Sequence, residues 1–193
     1  MGKHNKMKKY GSLFMATALL TGVLAGCGSD EDASKSGSGN AVSGDTIKIG
    51  ANLELSGNVA SYGSSINDGA KLAIEEINAA GGIDGKQIEY IPVDNKSETA
   101  EATSAAIRLA EQEKVVAMLA PATSGNSVAT VQIANQHKVP MVTGSGTAPN
   151  VTVNDDGSVN AYAFRTCFID PFQGTVAANF ATNELSAKNV AIF

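Results

Sequence analysis

Along the chain, short apolar runs alternate with stretches in which apolar residues recur every three or four positions. Thr46 to Leu53 (Thr-Ile-Lys-Ile-Gly-Ala-Asn-Leu) predicts a strand that opens into a Ser-Gly loop. From about Ser64 to Ala80, residues Ile66, Ala70, Ala73, Ile74 and Ile77 fall on one face of a helix, and Gly81 and Gly82 stop it. A strand from Gln87 to Asp94 follows, then a helix from about Ser97 to Glu111 whose buried side is Ala102, Ala105, Ala106, Leu109 and Ala110. Lys114 to Ala120 is short and apolar enough for a strand buried on both faces. A helix from about Gly125 to Gln136 leads to a strand from Val139 to Thr143. This alternation predicts an α/β fold, a doubly wound parallel sheet with flanking helices on both faces.

Beyond Gly144 the pattern loosens through the turn-rich Asn154-Asp155-Asp156-Gly157-Ser158. Ala161 to Thr166 reads as extended, Pro171 to Leu185 as a helix, and Asn189 to Phe193 as the start of another buried strand. The sequence stops inside that element, so the expectation is a fragment of a longer protein. Residues 46–164 read as one lobe and 165–193 as a hinge segment and the beginning of a second.

Charge separates the N-terminus from the rest. Lys3, Lys6, Lys8 and Lys9 precede an uncharged apolar stretch from Ser12 to Gly26, and Gly26 directly precedes Cys27. This is the grammar of a secretory signal over residues 1–26. The apolar stretch, about 15 residues, is short of the roughly 20 that span a bilayer. Residues 27–45 are rich in Ser, Gly and Asp and read as a flexible tether.

The whole chain of 193 residues carries a net charge of −5, but from Cys27 onward 10 basic residues face 19 acidic ones. That acidity argues against nucleic acid as partner. Two cysteines, Cys27 and Cys167, and two histidines, His4 and His137, are too few for a disulfide framework or a Cys/His metal site.

Open parallel sheets bind ligands beyond the carboxyl ends of their strands. Two such ends carry hydroxyls and small residues: Ala122-Thr-Ser-Gly-Asn-Ser127 and Gly144-Ser-Gly-Thr-Ala-Pro149. Ser124 falls at a helix N-terminus, where it suits a carboxylate or phosphate and equally suits a simple cap. Gly144-Ser-Gly-Thr lacks the third glycine of a dinucleotide fingerprint, and no Gly-Lys-Ser or Gly-Lys-Thr phosphate loop is present. His137 is predicted at the wrong end of the sheet to serve Ser124 or Ser145 as a base. Cys167, beside Phe164 and Phe168, reads as a buried structural cysteine.

Several stretches resemble the type I periplasmic-binding-protein family, most closely its branched-chain amino-acid binders from ABC importers. They are Ile47-Lys-Ile-Gly with Leu55-Ser-Gly-Asn-Val-Ala-Ser-Tyr-Gly63, Gly69 to Gly85, Pro140 to Pro149, and Phe164 to Gly174. Leu24-Ala-Gly-Cys27 resembles the bacterial lipoprotein box, which implies a diacylglycerol on Cys27 and a protein tethered outside the cytoplasmic membrane. The family resemblance implies two lobes that close on a ligand. Transferred by position, Tyr62 lies along the ligand side chain, the Ser124 and Thr147 hydroxyls meet its carboxylate or ammonium, and the Ser145 carbonyl meets the ammonium. Some relatives carry a disulfide across this lobe, whereas the region around Ser97 and Thr123 has no cysteine.

The expected function is capture of leucine, isoleucine or valine and delivery to a membrane permease, with no cofactor, metal or enzymatic step. The same fold also accommodates an amide, urea or other polar ligand, or a ligand sensor. A secreted hydrolase using Ser124 or Ser145 is the alternative from another class, and it would need a nearby base.

Overall fold

The computed structural model describes residues 46–191. The expected secretory signal, Cys27 and the expected tether lie outside them. The described elements are strands β1 (Ile47–Leu53), β2 (Ile88–Asp94), β3 (Ala117–Leu119), β4 (Met141–Thr143) and β5 (Ala163–Arg165), with helices α1 (Ala60–Ala79), α2 (Thr99–Ile107), α3 (Ser124–His137) and α4 (Asp170–Asn179). π-helical turns extend α2 over Arg108–Glu113 and α4 over Phe180–Glu184, and a short 3₁₀ helix spans Pro149–Val151.

The strands form one sheet in the order β2-β1-β3-β4-β5, and each neighbouring pair is parallel. The chain steps from β1 to β2 in one direction, then crosses back past β1 to β3 and continues to β5. Right-handed crossovers running in opposite directions put α1 on one face and α2 with α3 on the other. The reversal lies between β1 and β3, so their carboxyl ends diverge into a crevice.

The core sits under α2 and α3. Ala106, Leu109, Val115, Met118, Val131, Ala134, Val139, Met141 and Ala163 are all buried there. Asn52, on β1, faces the same side, and its amide donates to the Ala102 carbonyl at 2.7 Å while its oxygen accepts from the Asn95 amide at 3.1 Å. Among the described residues no buried side-chain nitrogen or oxygen lacks a hydrogen-bond partner.

The face over β3 to β5 opposite α2 and α3 differs from expectation. Met118 is buried, but Ala117 and Leu119 are only partly covered, so β3 is not a strand buried on both faces. Val142 is half-buried and Phe164 exposed on β4 and β5, because no described helix lies over that side. Helix α1 packs mainly on β1 and β2 and fully buries only Gly63 and Asn67. Of its apolar stripe, Ala73 and Ile77 remain exposed among the described residues.

Two further expectations are corrected. Asn189 to Ala191 form no strand, since the described residues offer that segment no strand to pair with; Ile192 and Phe193 lie outside the described residues. Cys167 is half-buried rather than buried, because it follows β5 in a segment that leaves the sheet. The Asn154–Ser158 stretch is the expected turn, closed by hydrogen bonds from the Ser158 N–H and hydroxyl to Asp156.

Candidate functional site

Three segments meet at the carboxyl ends of β1, β3 and β4. They are the start of α1, the loop that leads from β3 into α3, and the loop that follows β4. Their approach depends on Gly63, where a Cβ would collide with the main-chain oxygen of Glu54. The first turns of α1 therefore lie directly on the end of β1.

That contact leaves Tyr62 62% exposed, with its ring open to the crevice. A cleft of about 330 Å³ lies beside it, lined by Ser61, Tyr62, Ser65, Ile66 and Ser145. Ser145 closes the far wall. Its hydroxyl donates to the Ala122 carbonyl at 2.7 Å, so the side chain is committed to holding two loops together. Its own carbonyl accepts no hydrogen bond from the described residues.

Ser124 is the first residue of α3 rather than its cap. Thr123 occupies the cap position in extended conformation and makes no side-chain cap bond. The Ser124 oxygen instead accepts the Ala148 N–H at 3.1 Å, because the loop after β4 folds across the helix end. Thr147, next to Ala148, is half-buried; its carbonyl accepts the Asp170 N–H at 3.2 Å, and its hydroxyl makes no hydrogen bond to a described residue. Tyr62 and Ser145 thus share the cleft, while Ser124 and Thr147 lie on the joined loops and do not line it.

Several residues that build this arrangement were not singled out from the sequence. Glu54, directly after β1, is fully buried. Its Oε2 accepts the Ala122 N–H at 2.8 Å, and its Oε1 accepts the Thr123 N–H at 3.2 Å, the Thr123 hydroxyl at 2.8 Å and the Asn126 amide at 3.0 Å. The only sequence signal was one acidic residue closing an apolar run. Asn126 also accepts the Thr99 hydroxyl at 3.2 Å, so hydrogen bonds connect the stretch between Ser97 and Thr123 where no cysteine is available.

Arg165, at the end of β5, holds the loop after β4 from outside. Its guanidinium donates to the carbonyls of Gly146 and Ala148 at 2.9 Å each, to Pro149 at 3.1 Å and to the Thr152 hydroxyl at 2.9 Å. Asp94 does the same for the loop after β1. It accepts the N–H groups of Leu55 and Ser56 at 3.0 Å, Lys96 at 2.8 Å and the Ser56 hydroxyl at 2.6 Å. Burial pulls the Asp94 carboxyl upward, but the bonds from Ser56, Lys96 and Leu55 outweigh it and hold the group below its ordinary value.

His137 ends α3, with its Nε2 3.3 Å from a Glu111 carboxylate oxygen, at the opposite end of the helix from Ser124. Among the described residues no group of three or more His, Cys, Asp or Glu side chains could hold a metal ion, and no helix is long and apolar enough to cross a membrane.

Residues 46–193 match the family model described as periplasmic binding protein. The chain belongs to the periplasmic binding protein family. It is similar to the branched-chain amino-acid transporter substrate-binding protein LivJ of Streptococcus pneumoniae, solved with isoleucine, at 48% identity and a TM-score of 0.68. That likeness covers 74% of this chain and 39% of LivJ. The leucine-binding protein LivK of Thermotoga maritima is 37% identical with a TM-score of 0.64, over 74% of this chain and 39% of that one. The Leu/Ile/Val-binding protein BraC3 of Rhizobium johnstonii is 34% identical over 146 residues, 76% of this chain. The chain spans 38% of the length of that relative. As a periplasmic binding protein lobe, the parallel sheet and its flanking helices are the fold expected from the sequence.

Proposed function

We propose that this chain supplies one ligand-gripping lobe of an extracytoplasmic solute-binding protein that captures leucine, isoleucine or valine and delivers it to an ABC permease. In this reading residues 46–164 are the first lobe and 165–193 the hinge and opening of the second. The observation that carries it is the meeting of the α1 start with two loops at the β1/β3 switch point, where Tyr62, the Ser145 carbonyl and the Ser124 and Thr147 hydroxyls all lie toward the carboxyl ends of the strands. The similarity to proteins named for leucine, isoleucine and valine binding supports the ligand class.

Each group has a task matched to its chemistry. The Tyr62 ring offers apolar surface to an aliphatic side chain, while the Ser145 carbonyl accepts from an ammonium. The Ser124 and Thr147 hydroxyls donate to a carboxylate near the α3 N-terminus, whose dipole favours negative charge. No bond is made or broken; specificity comes from the paired polar groups and from water exclusion as lobes close. The Ser145 hydroxyl already donates to Ala122, and His137 lies at the far end of α3, so among the described residues no imidazole stands beside these serines to act as a base.

Thermal-shift titration of the full-length gene product tests the reading. A rise in Tm with leucine, isoleucine and valine, and none with urea, short amides or sugars, is the expected result, since a ligand stabilises the state it binds. A rise only with an amide or sugar would discard the amino-acid assignment. For the membrane tether, acyl labelling of Cys27 in a bacterial host is expected, with complete loss in Cys27→Ser.

A further inference from the structure

We propose that Glu54 makes the cleft select ligands that carry an ammonium group over simple carboxylates; this rests on the amino-acid reading above. Glu54 is fully buried, and the Ala122 and Thr123 N–H groups and the Asn126 amide that face it can only donate. Four groups donate to its two oxygens, and of these only the Thr123 hydroxyl is also able to accept a proton, so the set suits the carboxylate. Among the described residues it has no cationic partner.

A buried charge without a counter-ion acts over a longer distance than a solvated one, because little water lies between it and its neighbours. Its bonds run to Ala122 and Thr123, directly before Ser124, and Ala122 is also the residue to which Ser145 is tied. The negative charge therefore sits behind both loops that carry the site. It also offsets the positive end of α3, so this helix terminus attracts a lone anion less than Ser124 by itself would suggest. A zwitterion recovers the repulsion on its carboxylate through attraction on its ammonium. A simple carboxylate of the same shape recovers nothing.

The test compares leucine with isocaproate, which is leucine without its amino group, by calorimetric titration of the full-length gene product. Glu54→Gln keeps the side-chain shape and removes the charge. It is expected to narrow the preference for leucine over isocaproate by about fivefold, the size of a charge interaction across a partly buried site. A role confined to positioning the loops would weaken both ligands alike and leave their ratio unchanged. Where Glu54→Gln fails to fold, Thr99→Lys decides: Thr99 is exposed, bonds the same Asn126 amide group, and a lysine there opposes the Glu54 charge without removing its hydrogen bonds. The same narrowing is expected. Leucine binding with an unchanged ratio in the deciding variant overturns this inference alone, whereas no leucine binding by the wild type overturns the amino-acid reading and this inference with it.

Discussion

The Ser145 hydroxyl donates to the Ala122 carbonyl at 2.7 Å, joining loops that are 23 positions apart in the chain and belong to neighbouring strands. The bond makes the side chain a brace and leaves untouched the main-chain carbonyl, which is the group expected to meet a ligand. What remains for a ligand is the main-chain carbonyl, which an alanine would also present. Ser145→Ala is therefore expected to lower stability by about 1 kcal/mol, the net worth of one hydrogen bond, while leucine affinity falls less than tenfold. Chemical denaturation and calorimetric titration of the same variant check both halves.

Gly63 carries a harder constraint. A methyl group there meets main-chain atoms of Glu54, which have no rotamer by which to move aside. Gly63→Ala is expected to cost about 1–3 kcal/mol, the usual range for overpacking, and to weaken ligand binding because Tyr62 shifts with α1. Gly69→Ala is the control, since nothing lies near that position, and the helix should be unchanged or slightly stabilised. Equal destabilisation by both would show that helix propensity, not the contact with Glu54, governs α1.

Asp94 links the loop after β1 to solution pH. Its folded-state carboxyl titrates below the ordinary 3.8, so its contribution is fully present above that value and is lost as pH falls through the lowered folded value. Asp94→Asn should be less stable than wild type at neutral pH, and the gap should close as acid is added. Denaturation midpoints measured from pH 7 down to about pH 2 check this; a constant gap would separate the carboxylate from the acid transition.

Tyr90 behaves in the opposite sense. Its hydroxyl donates to Asn67 on α1 at 3.1 Å, and burial pushes its pKa up to about 12 from 10.0. The stability it contributes is present below pH 10.0 and is lost as pH rises toward 12. Ultraviolet titration of wild type against Tyr90→Phe should show the missing tyrosine to be a late-ionising one.

Periodicity alone was enough to place the alternating strands and helices of residues 46–143, because core-facing residues must recur at the repeat of the element they occupy. Gly81 and Gly82 marked the end of α1 for a related local reason: both adopt positive φ, 107° and 77°, where only glycine is unstrained. The two loops rich in hydroxyls were also legible, since parallel strands release the chain at their carboxyl ends whatever the details of packing. Tertiary structure decided everything that depends on residues distant in sequence. It placed Ser124 inside α3 and gave its oxygen to Ala148, spent the Ser145 hydroxyl on Ala122, and buried Glu54 under donors 68 to 72 positions away. It also left Ala73, Ile77 and Phe164 uncovered, which no local pattern could reveal. A hydrophobic period states which side of an element needs cover; only the packed neighbours determine whether cover is there and which polar groups remain for a ligand.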